Sequence, residues 1–497
     1  MNRTFQGDTM NRREFCHTAI AAGVASSVPW WSACSRGGSV AAVSLDGGSI
    51  ELEGAAIREL GERLAGELLL ADHAQYDTAR RIWNGMHDKR PALIARCRSA
   101  QDVSHAVTFA RERSLLLAVR GGGHSWPGKS VCDGGLVIDL SQMNTVRVDA
   151  DARRGHAQGG TLLYGLDTAA REHGLITTAG VVSHTGIGGF TLGGGFGRLN
   201  RKFGLAIDNL RSAEIVTADG RIRRISEEED ADLFWAIRGG GGNFGVVTEF
   251  EYQLHPFAHE VLSGTIMWPI EQARTVLDFY ADWYSRLSDE MYVGPAMLTT
   301  PEGQGVLAME VVHAGDPAVG ERELAPLLRV GRPIANQVGL NDYMNMQTQS
   351  DALTSHGIRS YAKNGMVRAI TPAFVTAMIE AYRPDPRVAM FSHTAGGAVR
   401  RVGELATAFP HRNAETMLVF ASFWTDPAED DEVIASTRDW HAQLEPFTGG
   451  YYQNIEFEID ETAAGNYGPA YPRLREIKGR YDPANLFRLN SNVEPAA

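Results

Sequence analysis

A histidine that directly follows three glycines is the first residue of this sequence whose setting suggests chemistry. Residues 120–128 read "RGGGHSWPG", so His124 ends a row of glycines. Glycines let the backbone approach a ligand closely and present bare N–H groups to it. His124 can therefore be a nucleophile, a ligand or a bystander, and the rest of the chain has to decide which.

A second segment, residues 180–199, reads "GVVSHTGIGGFTLGGGFGRL" and contains eight glycines. Packing alone explains so many glycines poorly, because each costs conformational entropy on folding. A long, flat ligand with a pyrophosphate explains them better, since backbone N–H groups bind phosphates. The segment therefore predicts a cofactor of that kind.

The sequence contains no convincing motif for a nicotinamide cofactor, a metal ion or a nucleophilic serine. Residues 240–245, "GGGNFG", match G-x-G-x-x-G, but the pattern predicts a helix before the loop and a strand after it, the reverse of a nicotinamide-binding unit. The fifteen histidines show no metal-ligand spacing, and no serine lies in a nucleophile elbow. We expect no metal site and no bound nicotinamide.

Four segments, in order, give the chain a family resemblance. Besides "RGGGHSWPG" they are "GIGGFTLGGGFGRLNRKFGLAIDNL" (186–210), "DLFWAIRGGGGNFGVVTEF" (232–250) and "YGPAYPRLREIKGRYDPANLFRLN" (467–490). Over about residues 75–495 the chain resembles the berberine-bridge-enzyme-like flavoproteins of the vanillyl-alcohol-oxidase class. The resemblance implies an α+β fold, with a PCMH-type FAD-binding domain and a substrate domain of antiparallel sheet covered by helices.

The resemblance gives His124 a role, because the matching histidine of the family is attached covalently to the 8α-carbon of FAD. A neutral imidazole is a good nucleophile, and a tether keeps the flavin from being lost outside the cell. Val182 stands where many relatives have a second tethering cysteine, so we expect one covalent bond. The remaining residues assigned to FAD binding are Arg120, Gly121, Gly122, Gly123, Ser125, Gly128, Gly180, Thr185, Gly186, Gly188, Gly189, Gly193, Gly195, Gly197, Gly245, Val247, Asn454 and Asn490.

The sequence identifies residues that could act on the substrate less clearly than those that could bind the cofactor. Relatives often carry a catalytic tyrosine in a late Y-x-N-Y strand. Here "YYQNIE" (451–456) matches through Tyr452 and Asn454, but Ile455 stands where the base would be. In a strand, Tyr452 and Ile455 would face opposite ways, so Tyr452 could not simply replace the missing base. Thr185 matches the position that controls oxygen access in some relatives, and threonine favours neither oxidase nor dehydrogenase.

Tyr361 and Lys363, in "IRSYAKNGM" (358–366), would share a face of a strand. A lysine beside a phenol lowers the phenol pKa, although a surface pair explains these residues nearly as well. The catalytic candidates are therefore Tyr361, Lys363 and Tyr452.

Two further pairs of residues carry open alternatives. His411 and Arg412 are either substrate or flavin neighbours or parts of a solvated loop. Arg198 and Arg201 could bind a phosphate or an acidic substrate, with surface exposure as the default expectation.

Hydrophobic periodicity predicts the elements that position these residues. We expect an FAD-binding domain over residues 45–258, completed by a C-terminal segment over 450–497, and a substrate domain over 259–449. Predicted helices cover residues 54–70, 101–114, 161–173 and 230–238. Predicted strands cover 91–97, 115–120, 136–140, 145–149, 155–160, 246–254, 305–314 and 416–424, and a hairpin with Asp219 and Gly220 at its turn covers 213–226.

Composition and the N-terminal residues indicate the class of partner and the cellular location of the protein. A net charge of −13 over 497 residues argues against a nucleic-acid partner. Arg12 and Arg13, followed by a short apolar run, predict a twin-arginine signal segment over 1–36, with Cys34 as a possible lipid attachment site. The expected location is periplasmic, extracellular or lipid-anchored. Cys97 and Cys132 are expected to be buried thiols.

The resemblance implies a flavin-dependent oxidase that takes hydride from an alcohol or amine carbon of a sugar or secondary metabolite and passes electrons to O₂, giving H₂O₂. A dehydrogenase of the same fold, with another electron acceptor, is the first alternative. An exported binding protein that has lost its chemistry is the second.

Overall fold

The computed structural model describes residues 38–457 and 463–496. The predicted twin-arginine motif and Cys34 lie outside these residues. The first part of the described chain contains β1 (Val40–Val43), β2 (Ser49–Leu52), α1 (Gly54–Arg63), β3 (Glu67–Leu69), α2 (Tyr76–Arg80), β4 (Leu93–Arg96), α3 (Ala100–Glu112), β5 (Leu117–Arg120) and β6 (Leu136–Asp139).

A four-stranded sheet in the order β3-β4-β6-β5 carries the first glycine row. Strands β4 and β5 both run parallel to β6, and all four β6 residues are buried. Helix α3 begins where the Ser99 hydroxyl accepts the Asp102 backbone N–H, and it buries its Val103, Ala106 and Val107 side chains. The glycines follow directly from the carboxyl end of β5.

One predicted helix of this region is shorter than expected. The periodic segment 54–70 is helical only as far as Arg63. Its last residues, Glu67–Leu69, form β3 and pair with Ile94–Arg96 of β4. Strand pairing therefore decides the conformation of a leucine run that the periodicity assigns to a helix.

The next part contains β7 (Val146–Asp149), β8 (Arg154–Gln158), α4 (Leu163–Arg171), β9 (Leu175–Ile176), α5 (Ile187–Leu192), α6 (Asn200–Phe203), β10 (Leu210–Val216), β11 (Ile222–Ser226), α7 (Ala231–Ile237), β12 (Val246–Gln253) and β13 (His255–Pro256). A five-stranded antiparallel sheet has the order β11-β10-β12-β8-β7. The β10-β11 hairpin turns at Asp219 and Gly220, as expected, with Gly220 at φ 80°.

The third part contains β14 (Glu260–Pro269), α8 (Ala273–Tyr284), β15 (Met291–Thr299), β16 (Gly305–His313), α9 (Pro317–Leu324), β17 (Ala335–Asn336), β18 (Gly339–Asp342), α10 (Tyr343–Thr348), β19 (Arg359–Val367), α11 (Pro372–Ala381), β20 (Val388–Thr394), α12 (Ala398–Arg401), β21 (Thr416–Trp424) and α13 (Asp430–Leu444). Its strands form an eight-stranded antiparallel sheet in the order β17-β14-β16-β15-β20-β21-β19, with β18 also paired to β14.

The two faces of this large sheet have different neighbours. On one face, side chains such as Met309 and Phe420 pack against helix residues, including Leu277 of α8 and Trp440 of α13. On the other face, Val419 and its neighbours pack against residues of the glycine-rich part of the chain. We call this second face the inner face of the sheet.

The C-terminal part contains α14 (Ala463–Tyr467) and α15 (Tyr471–Tyr481). Leu474 and Ile477 of α15 are buried against Leu233 and Phe234 of α7, so the chain end returns to the glycine-rich part of the molecule. The mixture of helices with largely antiparallel sheets confirms the α+β expectation. No helix among the described residues is both long and apolar enough to cross a membrane.

Candidate active site

His124 lies in the turn after β5, where the ring of Trp83 stacks on its imidazole. The ring centroids are 4.3 Å apart and the planes differ by 13°. Two hydrogen bonds fix Trp83: its backbone N–H donates to the Gly123 carbonyl at 2.8 Å, and its indole N–H donates to the Thr354 carbonyl at 2.6 Å. No sequence motif marks Trp83, because its partner Thr354 lies far along the chain.

The environment of His124 keeps its imidazole neutral. Burial, helped by the neighbouring His184, lowers the pKa of His124 to about 3. The two rings lie 5.0 Å apart. The Nε2 atom is buried and has no hydrogen-bond partner among the described residues. A neutral imidazole with an unshared nitrogen is the form that acts as a nucleophile.

The two glycine-rich segments touch each other backbone to backbone. A Cβ atom added at Gly122 would lie 2.5 Å from the Gly186 Cα, and one added at Gly186 would collide with the Gly122 nitrogen. Beside this crossing, a Cβ on Gly121 or Gly188 would come within 3.1 Å or 3.2 Å of the Gly159 carbonyl oxygen. Gly122 and Gly186 therefore require glycine, and Gly121 and Gly188 leave little room for a larger residue, because three loops converge here.

Most other glycines predicted to bind the cofactor are closely packed against protein atoms. An added Cβ would meet another side chain or carbonyl within about 3 Å at Gly123, Gly128, Gly180, Gly193, Gly195, Gly197 and Gly245. Gly189 differs, because no heavy atom lies within 4 Å of the Cβ position, and it is exposed. The glycine-rich pattern therefore combines close loop packing with one open surface.

Polar atoms near the crossing fit a group that carries phosphates and hydroxyls. Nε of Arg120 and Oγ1 of Thr161 are buried without a partner among the described residues. The Thr161 carbonyl accepts the Ile187 backbone N–H at 2.9 Å, which places Thr161 beside Gly186. Buried polar groups normally have partners. These atoms, the open Gly189 surface and the neutral His124 fit an FAD molecule.

Tyr452 and Asn454 hold the second glycine-rich segment in place. The Tyr452 hydroxyl accepts the Gly195 backbone N–H at 3.1 Å, and the Asn454 amide donates to the Gly189 carbonyl at 2.8 Å. Burial raises the pKa of Tyr452 to about 12, so its phenol stays protonated at neutral pH. The geometry gives Tyr452 a positioning role and does not support its use as a base.

The expectation of a strand at residues 451–456 is wrong. Residues 453–455 form a turn, in which the Ile455 backbone N–H donates to the Tyr452 carbonyl at 3.1 Å. Both side chains belong to the same apolar cluster instead of opposite faces. The alternation argument fails because a turn has no two-residue period.

Tyr361 and Lys363 share a face of β19, as expected, but it is the face covered by helix α13. Register places them opposite Ser422 and Phe420, away from the inner face. The Tyr361 hydroxyl accepts a hydrogen bond from Arg438 at 3.0 Å, and Lys363 forms an ion pair with Glu456 at 2.6 Å. These contacts give neither residue the catalytic position that the sequence suggested.

Both arginines after the glycine-rich segment are buried, so the default expectation of surface exposure is wrong. Arg201 donates to the Ala395 carbonyl at 2.8 Å. Arg198 forms an ion pair with Glu310, with 2.8 Å between Nη2 and Oε1. Nothing in the sequence near either arginine identifies these partners, which lie in the third part of the chain.

The alternative of a solvated loop at His411 and Arg412 is also wrong, because Arg412 is buried and His411 is half-buried. Arg412 is 1% exposed and makes two hydrogen bonds of 2.8 Å to the Asp208 carboxylate. The His411 Nε2 lies 3.0 Å from the Asn466 Oδ1, and burial lowers the pKa of His411 to about 4. These contacts are structural ties between distant segments.

The remaining predicted cofactor residues lie around the same loops. The Ser125 hydroxyl accepts the Lys129 backbone N–H at 3.0 Å, and the Thr185 carbonyl accepts the Leu163 N–H at 2.9 Å. Val247 is buried in β12. The Asn490 side chain lies against Gly242. No group of three or more possible metal ligands occurs within 38–457 and 463–496.

Comparison with family models and known proteins agrees with this geometry. Residues 91–226 match the model described as "FAD binding domain", and residues 452–494 match "Berberine and berberine like". The first match contains His124 and both glycine-rich segments, and the second contains the Tyr452 and Asn454 contacts.

Curated relatives match over nearly their whole length. An FAD-linked oxidoreductase of Dictyostelium discoideum is 30% identical over 444 residues, which cover 88% of this chain and 97% of that protein. The (R)-6-hydroxynicotine oxidase of Paenarthrobacter nicotinovorans is 31% identical over 453 residues, covering 87% and 97% of the two chains.

Solved structures show the same fold. The 6-hydroxy-D-nicotine oxidase of Arthrobacter nicotinovorans superposes with a TM-score of 0.80 at 30% identity, covering 87% of this chain and 98% of that one. The xylooligosaccharide oxidase of Myceliophthora thermophila C1 gives a TM-score of 0.80 at 25% identity, covering 89% and 100%.

Proposed function

Because this chain belongs to the berberine-bridge-enzyme-like family of FAD-linked oxidoreductases, we propose that it is an oxidase of a small alcohol or amine. Its substrate would be a sugar or a secondary metabolite, and its electron acceptor O₂, which is reduced to H₂O₂. Bound FAD supplies the two-electron acceptor for the substrate hydride. Relatives named as a hydroxynicotine oxidase and a xylooligosaccharide oxidase support both substrate classes.

The observation that carries the proposal is the state of His124. Its imidazole is neutral, stacked on Trp83, and has a buried Nε2 without a partner among the described residues. A histidine that served only packing would normally satisfy this atom. We propose that His124 is the single covalent attachment point, since Val182 has no nucleophile to offer.

The chain's own residues would hold the cofactor and shape the site around it. Gly121, Gly188 and Gly189 would present backbone to the phosphates, with Arg120 and Thr161 as polar partners. The ring of Trp126, which lies 5.0 Å from that of Trp83 and 5.7 Å from that of Phe423, adds apolar surface beside the Trp83 ring that stacks on His124.

Acid precipitation tests the attachment. The wild-type pellet should stay yellow, because an 8α-histidyl bond survives denaturation, whereas a His124→Ala pellet should be colourless with FAD in the supernatant. His73→Ala, at an exposed histidine between β3 and α2, is the matched control and should behave as wild type. A colourless wild-type pellet would exclude the tether.

The choice of O₂ as acceptor is tested without knowing the substrate. The purified flavoprotein is reduced anaerobically with light and EDTA and then mixed with air-saturated buffer. Fast recovery of the oxidised spectrum with equimolar H₂O₂ supports an oxidase. Slow recovery in air, with fast recovery on addition of a quinone, would instead indicate the dehydrogenase alternative.

We further propose export by the twin-arginine route, supported by Arg12, Arg13 and the short apolar run that follows them. A variant with both arginines changed to lysine should accumulate in the cytoplasm, as measured by cell fractionation. Unchanged export of that variant would contradict the proposal. Lipid attachment at Cys34 predicts that Cys34→Ala leaves the membrane fraction.

A further inference from the structure

The inner face of the eight-stranded sheet carries a single carboxylate. Register places Glu310 of β16 opposite Gly294 of β15 and Thr265 of β14, so all three lie on this face. Among the described residues that share the face on β14, β15, β16, β19, β20 and β21, none of the others is acidic, lysine or arginine. A lone ionisable acid on a surface next to the glycine-rich segment calls for an explanation.

The two oxygens of this carboxylate differ in their hydrogen-bond partners. Oε1 accepts hydrogen bonds from Arg198 Nε at 2.9 Å and from Gln349 Nε2 at 3.0 Å, and Arg198 Nη2 also lies within 2.8 Å. Oε2 accepts from no described residue. The Arg198 side chain is 2% exposed and that of Glu310 is 27% exposed. The guanidinium therefore holds the acid from the buried side.

Toward the β15–β16 turn, the surface beside Glu310 on the same face is apolar, whereas Thr265, directly opposite Glu310, is polar. Met267, Ala296 and Phe391 are each only partly buried, although they lie in the middle of strands. A ligand on this surface would remove water from Oε2. An ionised oxygen without a donor is costly in apolar surroundings, so the ligand must bring a donor, and a cationic donor forms the strongest bond.

Hydrogen bonds connect this acid to the segment that the FAD-binding model covers. Arg198 Nη1 donates to Gln347 at 2.9 Å, and Gln347 donates to the Gly180 carbonyl at 2.9 Å. Arg198 Nη1 also lies 3.5 Å from the Val181 carbonyl oxygen. Glu310 therefore belongs to the same rigid network as the glycine-rich segment.

We propose that Glu310 is a specificity-determining residue that binds a protonated nitrogen of the substrate through Oε2. The inference rests on the proposed function, and it narrows the substrate class from alcohols or amines to apolar, cationic amines. Arg198 and Gln349 act as positioning residues, because they orient the carboxylate through its other oxygen.

Anaerobic calorimetric titration of the purified holoprotein, with its flavin first reduced by light and EDTA so that no amine is oxidised, tests this assignment. The ligands are arylalkylamines from benzylamine to tryptamine, each compared with its neutral alcohol and its carboxylate. We expect amines to bind more tightly than alcohols and carboxylates not to bind. In Glu310→Gln the amine Kd should rise about tenfold to a hundredfold, because a charge-assisted hydrogen bond is lost. Glu302→Gln, in the exposed turn at the other end of the same hairpin, is the matched control.

Two further results separate a folding defect from a failed proposal. Glu310→Asp keeps the negative charge and should still bind amines more tightly than alcohols. The same preference can be measured on the wild-type protein, where no folding defect arises. Equal binding of amines and alcohols, no binding of any amine, or an unchanged Kd in a folded Glu310→Gln protein would overturn the proposal. If the purified protein contained no flavin, the proposed function would be contradicted. Calorimetry would still measure amine binding at Glu310, because it does not depend on flavin.

Discussion

Three histidines, one buried and two half-buried, show how the environment of a single side chain sets its chemistry. Burial is the main cause that lowers the pKa of His124 to about 3, and those of His393 and His411 to about 4. Each stays neutral in the folded chain and would be protonated in the unfolded chain at pH values between the lowered pKa and about 6.5. The unfolded state then binds more protons, so stability is lost as pH falls below about 6.5.

His393, which is 8% exposed, provides the clearest test of this acid sensitivity. His393→Gln should lose less stability than wild type between pH 7 and pH 4. The difference should approach about 3 kcal/mol at pH 4, since each pKa unit corresponds to about 1.4 kcal/mol. Urea unfolding of the variant and of wild type at several pH values measures this difference. Parallel pH profiles for His393→Gln and wild type would contradict the expectation.

At the scale of elements, the candidate site depends on where loops meet rather than on any one motif. Strand β5 delivers the first glycine row, and the second glycine segment enters α5 at Gly186, its N-cap. An isolated β-bridge between Leu162 and Gly186 also brings the turn after β8 to the place where these two glycine segments meet. The crossing of Gly122 with Gly186 therefore fixes the distance between two segments that would both contact the cofactor.

A matched pair of glycine variants tests this crossing. Gly186→Ala should lower the free energy of unfolding by about 1–3 kcal/mol and reduce the fraction of protein that contains flavin, because the added methyl group forces the loops apart. Gly189→Ala adds its methyl group to open space within α5 and should leave the stability of the flavin-free protein unchanged or raise it by up to about 1 kcal/mol. Thermal unfolding and flavin-to-protein absorbance ratios measure both effects. Equal stability of the two variants would show that the loops do not need this close approach.

For the molecule as a whole, the C-terminal residues complete the glycine-rich part of the fold. The Lys478 ammonium, fully buried, donates to the Asn243 carbonyl at 2.7 Å and pairs with the buried Asp482 at 2.6 Å. The Asn243 side chain in turn binds the Ser491 carbonyl at 2.9 Å and the Val493 N–H at 3.0 Å. A chain end far from residue 243 in sequence is thereby fixed to it.

Breaking this buried ion pair should destabilise the whole protein. Asp482→Asn leaves the Lys478 charge buried without its partner and should lower the free energy of unfolding by about 3–5 kcal/mol. The double variant Lys478→Met, Asp482→Asn should recover part of that loss, because no unpaired charge remains. Urea unfolding followed by circular dichroism compares the two. A single variant within about 1 kcal/mol of wild type would contradict the structural role of the pair.

Features governed by neighbouring residues could be predicted from the sequence. The Asp219-Gly220 hairpin, the helix of residues 231–237 and the strand at 416–424 all occur close to their predicted bounds. The order of the glycine motifs also identified the family and its cofactor, which the family models and relatives support. Turn geometry, periodicity and motif spacing are local properties, so one sequence is enough to read them.

The burial and hydrogen-bond partners of the candidate side chains depend on residues distant in sequence. Only the folded chain shows which residues these are. Tyr361 and Lys363 lie on a strand as predicted, yet the packing of α13 puts them on the covered face. Arg198 is buried because Glu310 and Gln347 arrive from the other part of the molecule. The Y-x-N segment is a turn because its side chains bind the glycine segment. Burial and pairing are properties of the assembled layers, so local sequence cannot specify which face or partner a side chain receives.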